Sequence, residues 1–152
     1  MLVRKENFSN GGLMGIWKMD ETIDELINLF PDQARADAET SINNIGSNRR
    51  ALELLTTRIT LIQLLGRATV ILNRDDGKPY LKDNSYQISI SHTKGYVAIL
   101  LHKDCPVGID IETISNRVEN IAHRFISDKE YINPNKQYIS YFTGLQKNAF
   151  IK

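Results

Sequence analysis

The chain has 152 residues, 41% of them hydrophobic and 24% charged, and its 19 basic and 18 acidic side chains leave a formal net charge of +1. That is enough chain for one well-buried core, so a single domain over residues 1–152 is the expectation. Near neutrality argues against a nucleic-acid or membrane-surface binder, and a lone cysteine, Cys105, excludes an intrachain disulfide and suits the reducing cytoplasm.

Arg4 and Lys5 precede an apolar run, Gly12 to Trp17, which Lys18 and Asp20 break too early for a signal peptide. No stretch approaches the roughly 20 apolar residues that cross a bilayer. Leu13 to Lys18 reads as a strand. Asp20 or Thr22 then caps a short helix through Glu25, Leu26, Leu29 and Phe30, stopped by Pro31. Residues 32 to 47 have room for another helical turn but end in a loop, Asn43 to Asn48. From Arg49 the apolar positions Leu52, Leu55, Ile59, Ile62 and Leu65 recur at threes and fours, which predicts a long helix ending near Gly66.

Short strand-like runs follow at Val70 to Leu72, Pro79 to Leu81, Ile88 to Ser91 and Tyr96 to Leu101, with turns at Asp75-Asp76-Gly77 and Lys94-Gly95. Val107 to Glu112, VGIDIE, is the next strand. Val118 to Phe125 reads as a helix, Ser127 and Asp128 as a capped turn, and Asn133-Pro134 as a break before a last helix running to Lys152. The mixed order gives an α+β class, with Trp17 and Tyr138 to Phe142 expected in the core.

Asp110 and Glu112 stand two apart in an apolar, β-branched strand, so both project from one face. An isolated acidic pair is ordinarily a solvated surface. As a site, it suits Mg²⁺, which takes one or two carboxylates, keeps several waters and uses substrate phosphates for the rest. Candidate phosphate binders are Arg49 at the start of the long helix, Lys78 in Gly77-Lys78-Pro79, and His92 in Ser91-His92-Thr93. Each also has a structural reading, as a solvated helix start, a turn decoration and a strand cap. Arg58, nine residues from Arg49, falls on the opposite side of an ideal helix, so the two are not assigned to one ligand.

Taken in order, Arg49-Arg50, Gly77-Lys78-Pro79-Tyr80-Leu81, ISISHTKGY, VGIDIE and Arg124-Phe125-Ile126-Ser127 with Glu130-Tyr131 resemble the 4'-phosphopantetheinyl transferases of the surfactin-synthetase-activating type. The resemblance runs from about Trp17 to the end. It implies a phosphopantetheinyl-transferase-like fold of two similar α+β halves, here residues 1–105 and an incomplete 106–152. It also implies Mg²⁺-dependent transfer of the phosphopantetheine arm of coenzyme A to a serine of an acyl or peptidyl carrier protein. In that family's pattern Asp110 and Glu112 match metal ligands, Arg49, Ser91 and His92 fall in segments that hold the coenzyme A phosphates, and Lys78 lies in one that approaches the nucleotide.

The family's last signature is Trp-x-x-Lys-Glu-x-x-x-Lys on a helix, whose Glu is a third metal carboxylate and a candidate base. Here Lys147 and Lys152 match the lysines that approach the pyrophosphate, but Gly144 stands for the Trp and Asn148 for the Glu. Back-translating Thr143 to Lys152 with suitable synonymous bases and regrouping by one nucleotide spells Tyr-Trp-Ser-Ala-Lys-Glu-Cys-Phe-Tyr-Lys, the whole signature, which suggests a frameshift near Phe142. Impaired transfer and self-association through an uncovered sheet edge are the corresponding expectations. The alternatives are a protein that binds coenzyme A or a carrier protein without transfer, and a Mg²⁺-dependent nucleotide-binding domain.

Overall fold

The computed structural model describes residues 1–112 with their side chains and the backbone of residues 138–143 and 146–149. Among the described residues the architecture is mixed α+β, of antiparallel sheets and three helices. The main sheet has the order β1-β2-β6-β5, from Leu2–Asn7, Leu13–Lys18, Tyr96–His102 and Gln87–Thr93. In it Ile16 pairs with Ala98, and Ser91 also pairs with Ala98 from the other side. β5 and β6 turn through Lys94-Gly95, where Gly95 takes a φ of +80°.

Both faces of this sheet are covered, which is why β6 reads as an unbroken apolar run rather than an alternating one. On one face Val97, Ile99, Leu101 and Ile88 pack with Leu61 and Leu64 of α3, Asn48–Leu65. On the other, Met14, Ile16, Ala98 and Leu100 pack with Ile109 and Ile111 of β7, Val107–Glu112. Trp17, Leu26, Phe30, Leu55 and Ile59 form a third cluster, joining α1, Ile23–Asn28, and α2, Asp32–Ile42, to α3. A hairpin of β3, Ile71–Asn73, and β4, Pro79–Leu81, follows α3.

The helix ends follow from local chemistry. Thr22 and Glu25 form a reciprocal capping box at α1, Ser47 caps α3, and Gly66 closes α3 in the left-handed conformation. Gly15 has a different reason. A Cβ there would lie 3.1 Å from both Thr60 and Leu64, so α3 rests directly on the backbone of β2. Gly15→Val is accordingly expected to lower unfolding stability by about 1–3 kcal/mol through overpacking, measurable by urea denaturation; an unchanged midpoint would show that α3 can move away at no cost.

Three expectations need correction. β1 was not anticipated at all: its charged Arg4, Lys5 and Glu6 suit an edge strand and mask the usual apolar signal. α2 is an 11-residue helix, where the sequence reading allowed a single turn. It buries only Ala34 and Ala38, one turn apart, so it has no stripe of large apolar residues to announce it. The last helix is replaced, where the backbone is described, by β8, Tyr138–Thr143, and β9, Gln146–Ala149, which extend β7 into a third sheet. Tyr-Ile-Ser-Tyr-Phe-Thr is β-branched and aromatic, a composition that favours the pleated state over helix. The expected helix at 118–125, the turn at Ser127 and Asp128, and Lys152 lie outside the described residues. Among the described residues no helix is long and apolar enough to cross a membrane.

Candidate functional site

β7 realises the alternation written in VGIDIE: Ile109 and Ile111 are buried, while Asp110 and Glu112 are exposed on the other side. β5 holds this strand in place through two hydroxyls. The Ile109 N–H donates to Ser89 Oγ at 3.1 Å and the Ile111 N–H to Ser91 Oγ at 3.2 Å. Ser91 in turn donates to Asp110 Oδ1 at 2.9 Å. Asp110 of the acidic pair and the Ser-His-Thr segment are thus in direct contact, although Ser91 and Asp110 lie 19 positions apart.

His92 is the next residue along and points to the other face of β5, toward α3. Its Nε2 lies 3.1 Å from Thr57 Oγ1, and Thr57 spends its one proton on the Glu53 carbonyl at 2.7 Å. Thr57 therefore accepts, which makes Nε2 the protonated nitrogen of neutral His92 and leaves Nδ1 without a proton.

A cavity of about 650 Å³ opens on this side, between α2, α3 and the strands β3 and β5. α3 contributes Arg50, Glu53, Leu54, Thr57 and Arg58, the i, i+3, i+4, i+7, i+8 stripe of a helix. α2 contributes Asp37, Thr40 and Ser41, again one face. Val70 and Ile71 supply an apolar wall, completed by Ile90 beside His92. Among the described residues the Arg50 guanidinium has no hydrogen bond or ion pair, and the residue is exposed. Arg58 is held: it donates to the Asp37 carbonyl at 3.1 Å and lies 5.8 Å over the Phe30 ring. Its desolvation depresses the guanidinium pKa, with Asp37 opposing.

The other sequence-derived candidates sit apart from the cavity wall. Arg49 is 75% exposed and pairs with Glu53 at 2.9 Å. Lys78 is 78% exposed on the β3–β4 turn, where it pairs with Asp76 at 3.4 Å. In the third sheet Asp110 is in register with Ser140, and Asn148 with Tyr141, which pairs with Ile109. Asn148 thus belongs to the Ile109 rung of the ladder, and Lys147 to that of Phe142 and Gly108. Sequence reasoning missed Arg50, Thr57 and Asp37 as wall residues, although the polar stripe from Arg50 to Arg58 was there to be read at helical spacing.

No protein-family model matches this chain, and no curated protein is significantly similar to it. What the site can do follows from its own groups. His92 retains solvent exposure but is crowded by α3; this desolvation is the largest influence on it and lowers its pKa, with Arg49 adding to the effect and Glu53 opposing it. The unfolded chain therefore binds a proton near pH 6.5 that the folded chain takes up only at lower pH, so stability falls as pH drops through that value. An anion in the cavity reverses this preference, because protonated His92 gains an Nδ1–H donor. Sulfate, whose charge does not change over this range, is expected to bind more tightly at pH 5.5 than at pH 7.5 in the unmodified chain, a difference that His92→Gln reduces; calorimetric titration at the two pH values checks it.

Proposed function

We propose that this chain is a 4'-phosphopantetheinyl transferase by descent, with the corresponding two-half fold, whose site takes coenzyme A and Mg²⁺ and whose target is a serine of an acyl or peptidyl carrier protein. The observation that carries this reading is the adjacency of Ser91 and His92 on edge strand β5. One touches the acidic pair, the other lines the cavity that holds Arg50 and Arg58. A ligand with a phosphate at each end of a nucleotide can therefore engage both sides of one strand edge.

The donor set fits a hard dication. Asp110 and Glu112 are exposed carboxylates, and among the described residues no group of three or more Asp, Glu, His or Cys side chains is gathered. Two carboxylates with water and phosphate oxygens completing the shell is the usual Mg²⁺ arrangement. Mg²⁺ would supply charge neutralisation on the pyrophosphate as the leaving group forms. Asp110 and Glu112 would hold the ion at that end, while Arg50 and His92 would fix the distal phosphate in the cavity. The carrier serine Oγ forms a bond to the phosphorus bearing the pantetheine arm, the bond from that phosphorus to the bridging oxygen breaks, and 3',5'-ADP leaves with the electron pair. The serine proton must pass to a base. Asn148, an amide on the Ile109 rung and so one position out of step with Asp110 and Glu112, cannot take it near neutral pH, so transfer is slowed, on the order of 10²- to 10⁴-fold. A one-nucleotide shift near the Phe142 codon is part of this reading and is checked by resequencing the gene.

One observation favours a binding role without transfer: among the described residues the cavity wall is drawn from Asp37 to His92, apart from the segment that departs from the family signature. Intact-mass analysis of an apo carrier protein incubated with coenzyme A, Mg²⁺ and this chain, beside Asn148→Glu, separates the readings. A phosphopantetheine increment that needs both co-reactants supports the transferase. No increment from either chain, with 3',5'-ADP still preferred over 5'-ADP, favours binding alone. Equal affinity for the two nucleotides overturns both in favour of a generic nucleotide site.

A further inference from the structure

Resting on the metal-site reading above, we propose that Ser91 is a positioning residue that fixes the Asp110 carboxylate for a divalent cation, leaving Oδ2 to face it. Ser89 and Ser91 stand two apart on β5 and perform the same backbone task, accepting the N–H groups of Ile109 and Ile111 at 3.1 and 3.2 Å. They differ in what their single hydroxyl proton does. Ser91 donates it to Asp110 Oδ1 at 2.9 Å; among the described residues Ser89 makes no such contact with a carboxylate. An exposed aspartate otherwise samples several rotamers, and holding one of them before the cation arrives removes an ordering cost from binding. Because the hydroxyl is itself anchored by the Ile111 N–H, its direction is set by the strand, not by the ligand. Partners of this kind behind a metal ligand typically contribute about 10- to 100-fold in metal affinity.

Ser89 provides an internal control, since Ser89→Ala and Ser91→Ala each remove one hydroxyl that accepts from β7 and only the second frees the carboxylate. Mn²⁺ affinity, read by electron paramagnetic resonance as loss of the free-ion signal, is expected to fall about 10- to 100-fold in Ser91→Ala and to change less than about threefold in Ser89→Ala. Both should lose similar stability on melting. Ser91→Thr, which keeps the hydroxyl and suits a strand, should retain affinity. Equal Mn²⁺ affinity in the two alanine variants, or loss in Ser91→Thr with unchanged melting, overturns the positioning role while leaving the metal site standing. If the unmodified chain binds Mn²⁺ no better than Asp110→Asn does, the metal site itself fails and the positioning role with it.

Discussion

Charge reversal at Arg50 is expected to weaken binding of 3',5'-ADP by about 10²-fold or more while leaving unfolding stability within about 0.5 kcal/mol. A hydrogen bond from a charged donor contributes roughly 1.5–3 kcal/mol, and an anion in the same place adds repulsion, which together amounts to two or more tenfold steps. The small effect on folding follows from the position: Arg50 is exposed, and its guanidinium has no partner among the described residues to lose. Arg49→Glu is the companion variant. Its native side chain is already committed to Glu53 and stands outside the cavity wall, so the expected loss is several-fold smaller. Titration of both variants at one fixed salt concentration decides between the adjacent arginines, since screening alters every exposed charge. The reverse order would return the phosphate role to Arg49.

That choice shows where the sequence was informative. α3 was legible because Leu55 and Ile59 repeat at helical spacing and Gly66 ends the run, and both apolar residues are fully buried. β7 was legible because two burial states alternate along it. β1 and α2 were not, since an edge strand bearing Arg4, Lys5 and Glu6 and a helix burying only alanines lack the contrast on which periodicity depends. From Tyr138 the break at Asn133-Pro134 suggests a helix, but the aromatic and β-branched residues favour strand, and local propensity prevails there.

The candidate site divides in the same way. Strand alternation puts Asp110 and Glu112 on one face, and the same rule separates Ser91 from His92. The two residues serve opposite sides of β5, one holding Asp110 and the other reaching Thr57. Lys78 illustrates the limit of a motif read without a fold: it sits at a turn whose local partner is Asp76, and only the packing of the β3–β4 hairpin decides how far it stands from the cavity. Steps of three and four back from Thr57 and Glu53 reach both arginines; Arg50, four before Leu54 and eight before Arg58, stays on the stripe that lines the cavity, whereas Arg49, four before Glu53, is taken up by that carboxylate.

Asp110→Asn is expected to abolish the effect of Mg²⁺ on coenzyme A affinity. The amide is nearly isosteric and its oxygen still accepts from Ser91, so β7 keeps its contact with β5 and the change isolates charge. Without Mg²⁺, both proteins should bind coenzyme A through the cavity alone, and the variant slightly better because one negative charge no longer faces the pyrophosphate. With Mg²⁺, the unmodified chain should gain affinity. Neutralising a pyrophosphate held against two carboxylates is worth several kcal/mol in charge stabilisation, which corresponds to about 10²-fold or more in binding. The variant should gain almost nothing, and whatever transfer the unmodified chain catalyses should fall by about 10²- to 10³-fold. The measurement is a pair of coenzyme A titrations, with and without Mg²⁺, on each protein. A Mg²⁺-dependent gain that survives in Asp110→Asn would move the cation away from β7, and the acidic pair would then be the solvated strand face that its spacing alone allows.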